Sequence, residues 1–283
     1  GIQYLTNLDD LNIDGYLHSI DLSKNKKLRM LVLSYSRLTN IDLSNNPNLD
    51  FLFLSNEGLS SIDLSSNPNL KILTLNDKSL LNVDLSNNLS LTDLDLSIGL
   101  KNIDLSKLVN LKSLDLGNNK ISNIDLSSNV NLTNLSLYSN QLINLDLSNN
   151  VNLTDLNLSF NNITSIDLSN NLNLKTLDLS GNKIEEIDLS KNINLESLDL
   201  RGYDNYESNL SSVDLSKNVN LESLDLTETK ITNLDLTNNS KLNRLYIDDN
   251  KLTSLDLSKN INLEDLRSSY SSLVSLDLSN CSN

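Results

Sequence analysis

A mostly β solenoid of about thirteen coils, with parallel ladders on both sides and little helix, is the fold class that this 283-residue sequence predicts. Three observations lead there. A leucine recurs at an interval of 21 residues along almost the whole chain. Each interval holds two short stretches in which apolar and polar residues alternate with period two. Alanine, the residue that helices favour most, is absent.

Aligned on the leucine of the phrase IDLS, the repeats are marked by Leu22, Leu43, Leu64, Leu85, Leu105, Leu126, Leu147, Leu168, Leu189, Leu215, Leu236, Leu257 and Leu278. Two steps depart from 21: one residue is missing between Leu85 and Leu105, and five are added between Leu189 and Leu215, within RGYDNYESN (201–209). A fixed period of roughly 20–29 residues with this leucine pattern marks a leucine-rich-repeat solenoid. In the repeat over 151–168, the side chains expected inside are Val151, Leu153, Leu156, Leu158, Ile163, Ile166 and Leu168. One repeat cannot bury its own apolar face, so neighbours must stack. Leu156-Asn157-Leu158 and Ile166-Asp167-Leu168 each alternate as a strand does, which predicts one ladder per side joined by Asn-rich turns. The chain reads as a single domain over 1–283. Because the pattern is already running at both ends, it is expected to be excised from a longer chain.

The phrase LxxLxLxxN occurs twice per unit, as in NLTDLNLSFNNITSIDLSNN (152–171). With it, residues 8–283 resemble the nested leucine-rich repeats of internalin-like surface proteins of Gram-positive bacteria. The chain departs from some of these in having neither a cysteine ladder nor helical end caps, and it lacks the LPxLP phrase of leucine-rich-repeat ubiquitin-ligase effectors. The resemblance implies a bacterial cell-surface or secreted protein, extracellular in location, with a role in adhesion or host interaction.

Composition narrows the chemistry. A net charge of -15 opposes nucleic acid and anionic lipid. No run of about 18 apolar residues is present to span a membrane as a helix. The N-terminal residues show no signal-peptide pattern. One cysteine, Cys281, allows no internal disulfide. His18 is the only histidine, and nothing in the repeat pairs it with Cys281. There is no Gly-rich phosphate loop and no His/Cys cluster suited to zinc. A uniform row of carboxylates gives no reason for two of them to titrate apart as an acid–base pair. The chain therefore reads as a non-enzyme, without catalytic residues, cofactor or metal.

Comparing the repeats with one another separates a constant side from a variable one. The constant side carries an aspartate in every IDLS phrase, from Asp21 to Asp277, and an Asn ladder from Asn25 to Asn260, broken by Leu108 and Cys281. Stacked Asn amides suit the bonding of turn backbone groups. Carboxylates about 4.8 Å apart repel by roughly 1 kcal/mol even in water. Bonds to Ser hydroxyls and to amides of adjacent coils, with help from lysines such as Lys107 and Lys191, are expected to offset this. A file of bridging Ca²⁺ is the alternative.

The other strand varies at its outward positions. Met30, Val32, Phe51, Phe53 and Ile72 form an apolar zone. Asp95, Asp115, Asp178 and Asp199 belong to an acidic middle, and Arg201, Arg244, Tyr246 and Arg267 to a mixed zone beside the inserted Tyr203 and Tyr206. Exposed apolar patches mark partner sites, and aromatic and Arg side chains concentrate binding energy. These positions are therefore the candidate partner-binding residues, for a protein ligand first. A stiff spacer that displays other domains, or glycan binding through the tyrosines, are the alternatives.

Overall fold

The computed structural model of the chain describes residues 1–56, 58–203 and 208–278. It divides into two units, Gly1–Leu132 and Thr133–Asn283. In the first, a 3-10 turn at Ile2–Tyr4 precedes β1 (Asp10–Asp14), β2 (Met30–Ser36), β3 (Phe51–Asn56), β4 (Ile72–Asn76), β5 (Asp93–Ser97) and β6 (Ser113–Asp115). All six are parallel, and each pairs with the next in register: Leu31 with Leu52, Leu52 with Leu73, Leu73 with Leu94, Leu94 with Leu114.

The second unit repeats the plan with three-residue strands: β7 (Asn134–Ser136), β8 (Asp155–Asn157), β9 (Thr176–Asp178), β10 (Ser197–Asp199), β11 (Ser223–Asp225) and β12 (Arg244–Tyr246). Beyond them come β13 (Ser254–Asp256), β14 (Asp265–Arg267) and β15 (Ser275–Asp277). Leu198 still pairs with Leu224, so the five added residues leave the register unshifted. The inward leucines of both units, among them Leu31, Leu52, Leu156 and Leu177, are buried, and each stacks on its counterpart in the next coil. The mostly β solenoid with little helix is thus the observed fold.

The second ladder is not general. Among the described residues, the IDLS side forms ladder pairs only between β13 and β15. Its backbone donors are captured locally instead. Ser148 N donates to Asp146 Oδ1 and Ser169 N to Asp167 Oδ1, both at 2.9 Å. Asn150 N and Asn171 N donate to Leu147 O and Leu168 O at 3.0 Å. Such side-chain-to-backbone bonds compete with sheet ladders. The aspartates therefore bond amides of their own coil, not of adjacent coils. Those Ser contacts hold the Asp167 and Asp146 carboxyls below the usual range. Lysines such as Lys107 and Lys191 assist Asp104 and Asp188 as weaker contributors.

Lateral cohesion on this side comes from the Asn ladder. Asn171, fully buried, donates its Nδ2 to Leu147 O at 3.2 Å and Asn150 O at 2.9 Å in the preceding coil. Asn218 makes the same pair of bonds across the insertion, to Leu189 O and Asn192 O. A second ladder runs through the opposite turn. Asn161 and Asn182 donate to Leu137 O and Leu158 O, and accept from Leu142 N and Ile163 N.

Val151 does not lie inside: it is 45% exposed. The turn points Asn150 inward and carries the next residue outward, and Leu89, Val109, Val130, Leu172, Ile193 and Val219 share that exposed place. Ile166 is only half-buried.

Candidate functional site: the variable strand face

Parallel registry turns sequence variation into rows. In the first unit, Met30, Phe51 and Ile72 stand side by side, and Val32, Phe53 and Thr74 form the row next to them. All are half-buried on the outward side of the sheet, none in the packed interior. The same rows run on into Asp93 and into Asp95 and Asp115, so the apolar zone abuts an acidic one. Poor hydration among the flanking strands, and then the like charge of Asp115, push the Asp95 carboxyl up to about 6.

In the second unit, Asp178, Asp199 and Asp225 fall in one row, continued by Tyr246 and Arg267. Burial pushes Asp199 up to about 7. The Arg201 amide opposes this, and the flanking Asp178 and Asp225 carboxylates reinforce it. Arg201 lies over this acidic row. Its N donates to Asp199 Oδ1 at 3.0 Å, its Nη2 to Asp199 Oδ2 at 2.9 Å, and its Nε is 3.5 Å from Asp225 Oδ2.

Tyr203 joins this cluster from the inserted loop. The Arg201 guanidinium carbon is 5.3 Å from the Tyr203 ring centroid, a cation–π distance. Phe160 stacks on Tyr203 at 4.8 Å between centroids, tilted by 42°. Gly202 sets the loop's departure. Its N donates to Thr227 O at 2.8 Å, and a β-carbon there would collide with the Glu228 carbonyl oxygen.

Further along, Tyr246 OH donates to Asp265 Oδ2 at 2.6 Å, and Arg267 lies 4.3 Å above the Tyr246 ring. Arg244 does not join them; its Nε reaches Asn243 Oδ1. Tyr206 lies outside the described residues. Sequence reasoning passed over Phe160. The signal was available: Phe160 holds a turn position that Gly181, Asn118 and Ser139 hold in other repeats.

Among the described residues, no group of three or more His, Cys, Asp or Glu side chains is arranged to hold a metal ion, and no helix is long and apolar enough to cross a membrane.

No protein-family model and no curated protein matches the chain. Solved structures do. The functional domain of InlJ from Listeria monocytogenes is 33% identical over 93% of this chain and 58% of that one, with a TM-score of 0.86. A leucine-rich-repeat protein of Leptospira interrogans is 27% identical over 97% of this chain and 76% of that one, at 0.87. The internalin InlF of Listeria monocytogenes, 21% identical over 99% and 86% at 0.68, shares the fold. Coils, ladders and register together define a leucine-rich-repeat solenoid. Within that class the chain is similar to internalin-like bacterial proteins. It spans 58% of the InlJ domain it matches.

Proposed function

We propose that the chain is a non-catalytic protein-binding module of a bacterial surface or secreted protein, and that it holds its partner on the variable strand face. The supporting observation is the division of labour between the two sides. On the IDLS side, the outward aspartates close turns of their own coil. On the other side, outward residues differ from coil to coil and assemble in register into an apolar zone and an Arg201–Tyr203–Phe160 cluster. Rigid aromatic and Arg anchors ringed by polar groups are what partner sites require. In the same fold, the plant peptide hormone receptor RGFR1, 23% identical at a TM-score of 0.68, was solved in complex with RGF2. Adhesion or host interaction is the role that fits an internalin-like chain.

The test uses the immobilised chain and surface-protein extracts of host cells. A partner should be retained by the wild type and by a Lys107→Ala control on the IDLS side. It should be lost from Phe51→Ser/Phe53→Ser and from Arg201→Ala/Tyr203→Ala while thermal unfolding still shows a folded solenoid. Equal retention by all four proteins would overturn the reading.

A further inference from the structure

At several of the turns that follow the strands, the residue before the ladder position adopts a left-handed backbone. Asn118, Ser139, Gly181, Glu228 and Asp249 fill that place with φ between 52° and 62°, and the aromatic Tyr35, Phe160 and Tyr270 fill it with φ 54°, 54° and 50°. Bulky residues are seldom placed in this conformation. Phe160 packs on Tyr203, whereas the Tyr35 ring is 68% exposed. One coil earlier, Tyr16 is 71% exposed, with the Arg37 guanidinium carbon 5.0 Å from its ring centroid.

The two rings border a groove of about 600 Å³, lined also by Arg37, Asn76, Lys78 and Ser79, and none of the described lining side chains is aliphatic. Its floor is preorganised. Asp77 is buried and accepts bonds from Asn56 Nδ2, Gly58 N, Leu59 N and Ser79 N at 2.8–3.0 Å. Those bonds hold the carboxylate inward at the floor, and the described lining residues carry two cations, Arg37 and Lys78, against this one anion. The surroundings permit an anion better than elsewhere in the chain. Residues 1–132 hold eleven Lys and Arg against fifteen Asp and Glu, whereas residues 133–283 hold eleven against twenty-two.

We infer that this groove binds an acidic saccharide, with sugar rings on Tyr16 and Tyr35 and a carboxylate against Arg37 and Lys78. Exposed tyrosine faces offer flat apolar platforms with a polar tip. The hydroxyl and amide walls suit sugar hydroxyls and offer no pocket for an aliphatic peptide side chain. A planar guanidinium matches a carboxylate, and a neutral sugar would leave both cations unused. The site is separate from the partner-binding strand face, so either can fail without the other.

Calorimetric titration would use the whole chain with three acidic probes: oligogalacturonate, a glucuronate oligosaccharide and sialyllactose. At least one should bind saturably, and roughly tenfold or more tighter than its methyl ester, a difference readily resolved. Arg37→Gln and Tyr35→Gly should each weaken it by about tenfold. The thermal midpoint of Tyr35→Gly should hold or rise, because glycine accepts φ 54° freely, so lost binding cannot be ascribed to unfolding. No binding of any acidic probe up to about 10 mM, equal affinity for the ester, undiminished binding by the variants, or preference for an oligoglutamate peptide would each overturn the inference.

Discussion

Phe160 lies between two partners: its ring stacks on Tyr203 at 4.8 Å, and it covers Gly181 so closely that a β-carbon there would sit 2.8 Å from Phe160 Cδ1. Gly181 has φ 62°, where an L-residue costs about 1–2 kcal/mol. Gly181→Ala should therefore lose at least that much stability in urea unfolding. It should also push Phe160 off Tyr203. The chain has no tryptophan, so tyrosine emission would report the change.

Ser139 shows the converse. It holds φ 54° although it carries a β-carbon. Ser139→Gly should stabilise the fold, by less than about 1 kcal/mol, because glycine's extra freedom in the unfolded chain offsets part of the relief. Chemical denaturation midpoints of the variant and of Ser139→Ala should move apart, with Gly the higher.

The Asn ladder should respond strongly to substitution. Asn171→Leu removes both bonds that Asn171 Nδ2 gives to Leu147 O and Asn150 O, which keep Asn150 N and Leu153 N as donors, and puts a larger side chain in a buried place. A lost hydrogen bond costs about 0.5–1.5 kcal/mol. Urea unfolding should show a loss of about that much per bond or more, far beyond that of a substitution at exposed Asn170.

The acidic row predicts a pH dependence with a definite sign. Asp199 is raised to about 7 by burial and by Asp178 and Asp225. An acid whose folded value is raised destabilises the fold as pH climbs from the ordinary carboxylate range through 7. Asp199→Asn should accordingly raise the thermal midpoint at pH 8 and change it little at pH 4. The lowered IDLS aspartates act in the opposite sense: their contribution is present above the ordinary range and is lost as pH falls below about 4. The wild type should thus be most stable at mildly acidic pH.

The Asx turns also bear on cations. With Asp167 Oδ1 already accepting Ser169 N, the row needs no bridging ion to hold its shape. A chelator should leave the thermal midpoint where it is. Asp167→Asn, which keeps the acceptor, should unfold near wild type, and Asp167→Ala should unfold earlier.

The 21-residue period alone settles much of this molecule. It decides that Leu156 stacks on Leu177, that Phe51 stands beside Met30, and that Asp178 stands beside Asp199, because equal spacing fixes which residues become neighbours in a parallel stack. Period-two alternation also placed the apolar zone outward, as found. It could not decide where backbone donors go. Ile166-Asp167-Leu168 alternates like a strand, yet Asp167 captures the Ser169 amide two residues on, and a pattern of side-chain directions carries no information on hydrogen-bond partners. Val151 was misplaced for a related reason, since a turn breaks the alternation that inward and outward assignments rely on. Only the tertiary structure brings Tyr203 onto Phe160, 43 positions away, and Arg37 over Tyr16. Those contacts arise from the inserted loop and from turns where the repeat is broken or its preferred residue replaced. At such places the period no longer dictates geometry, and local packing does.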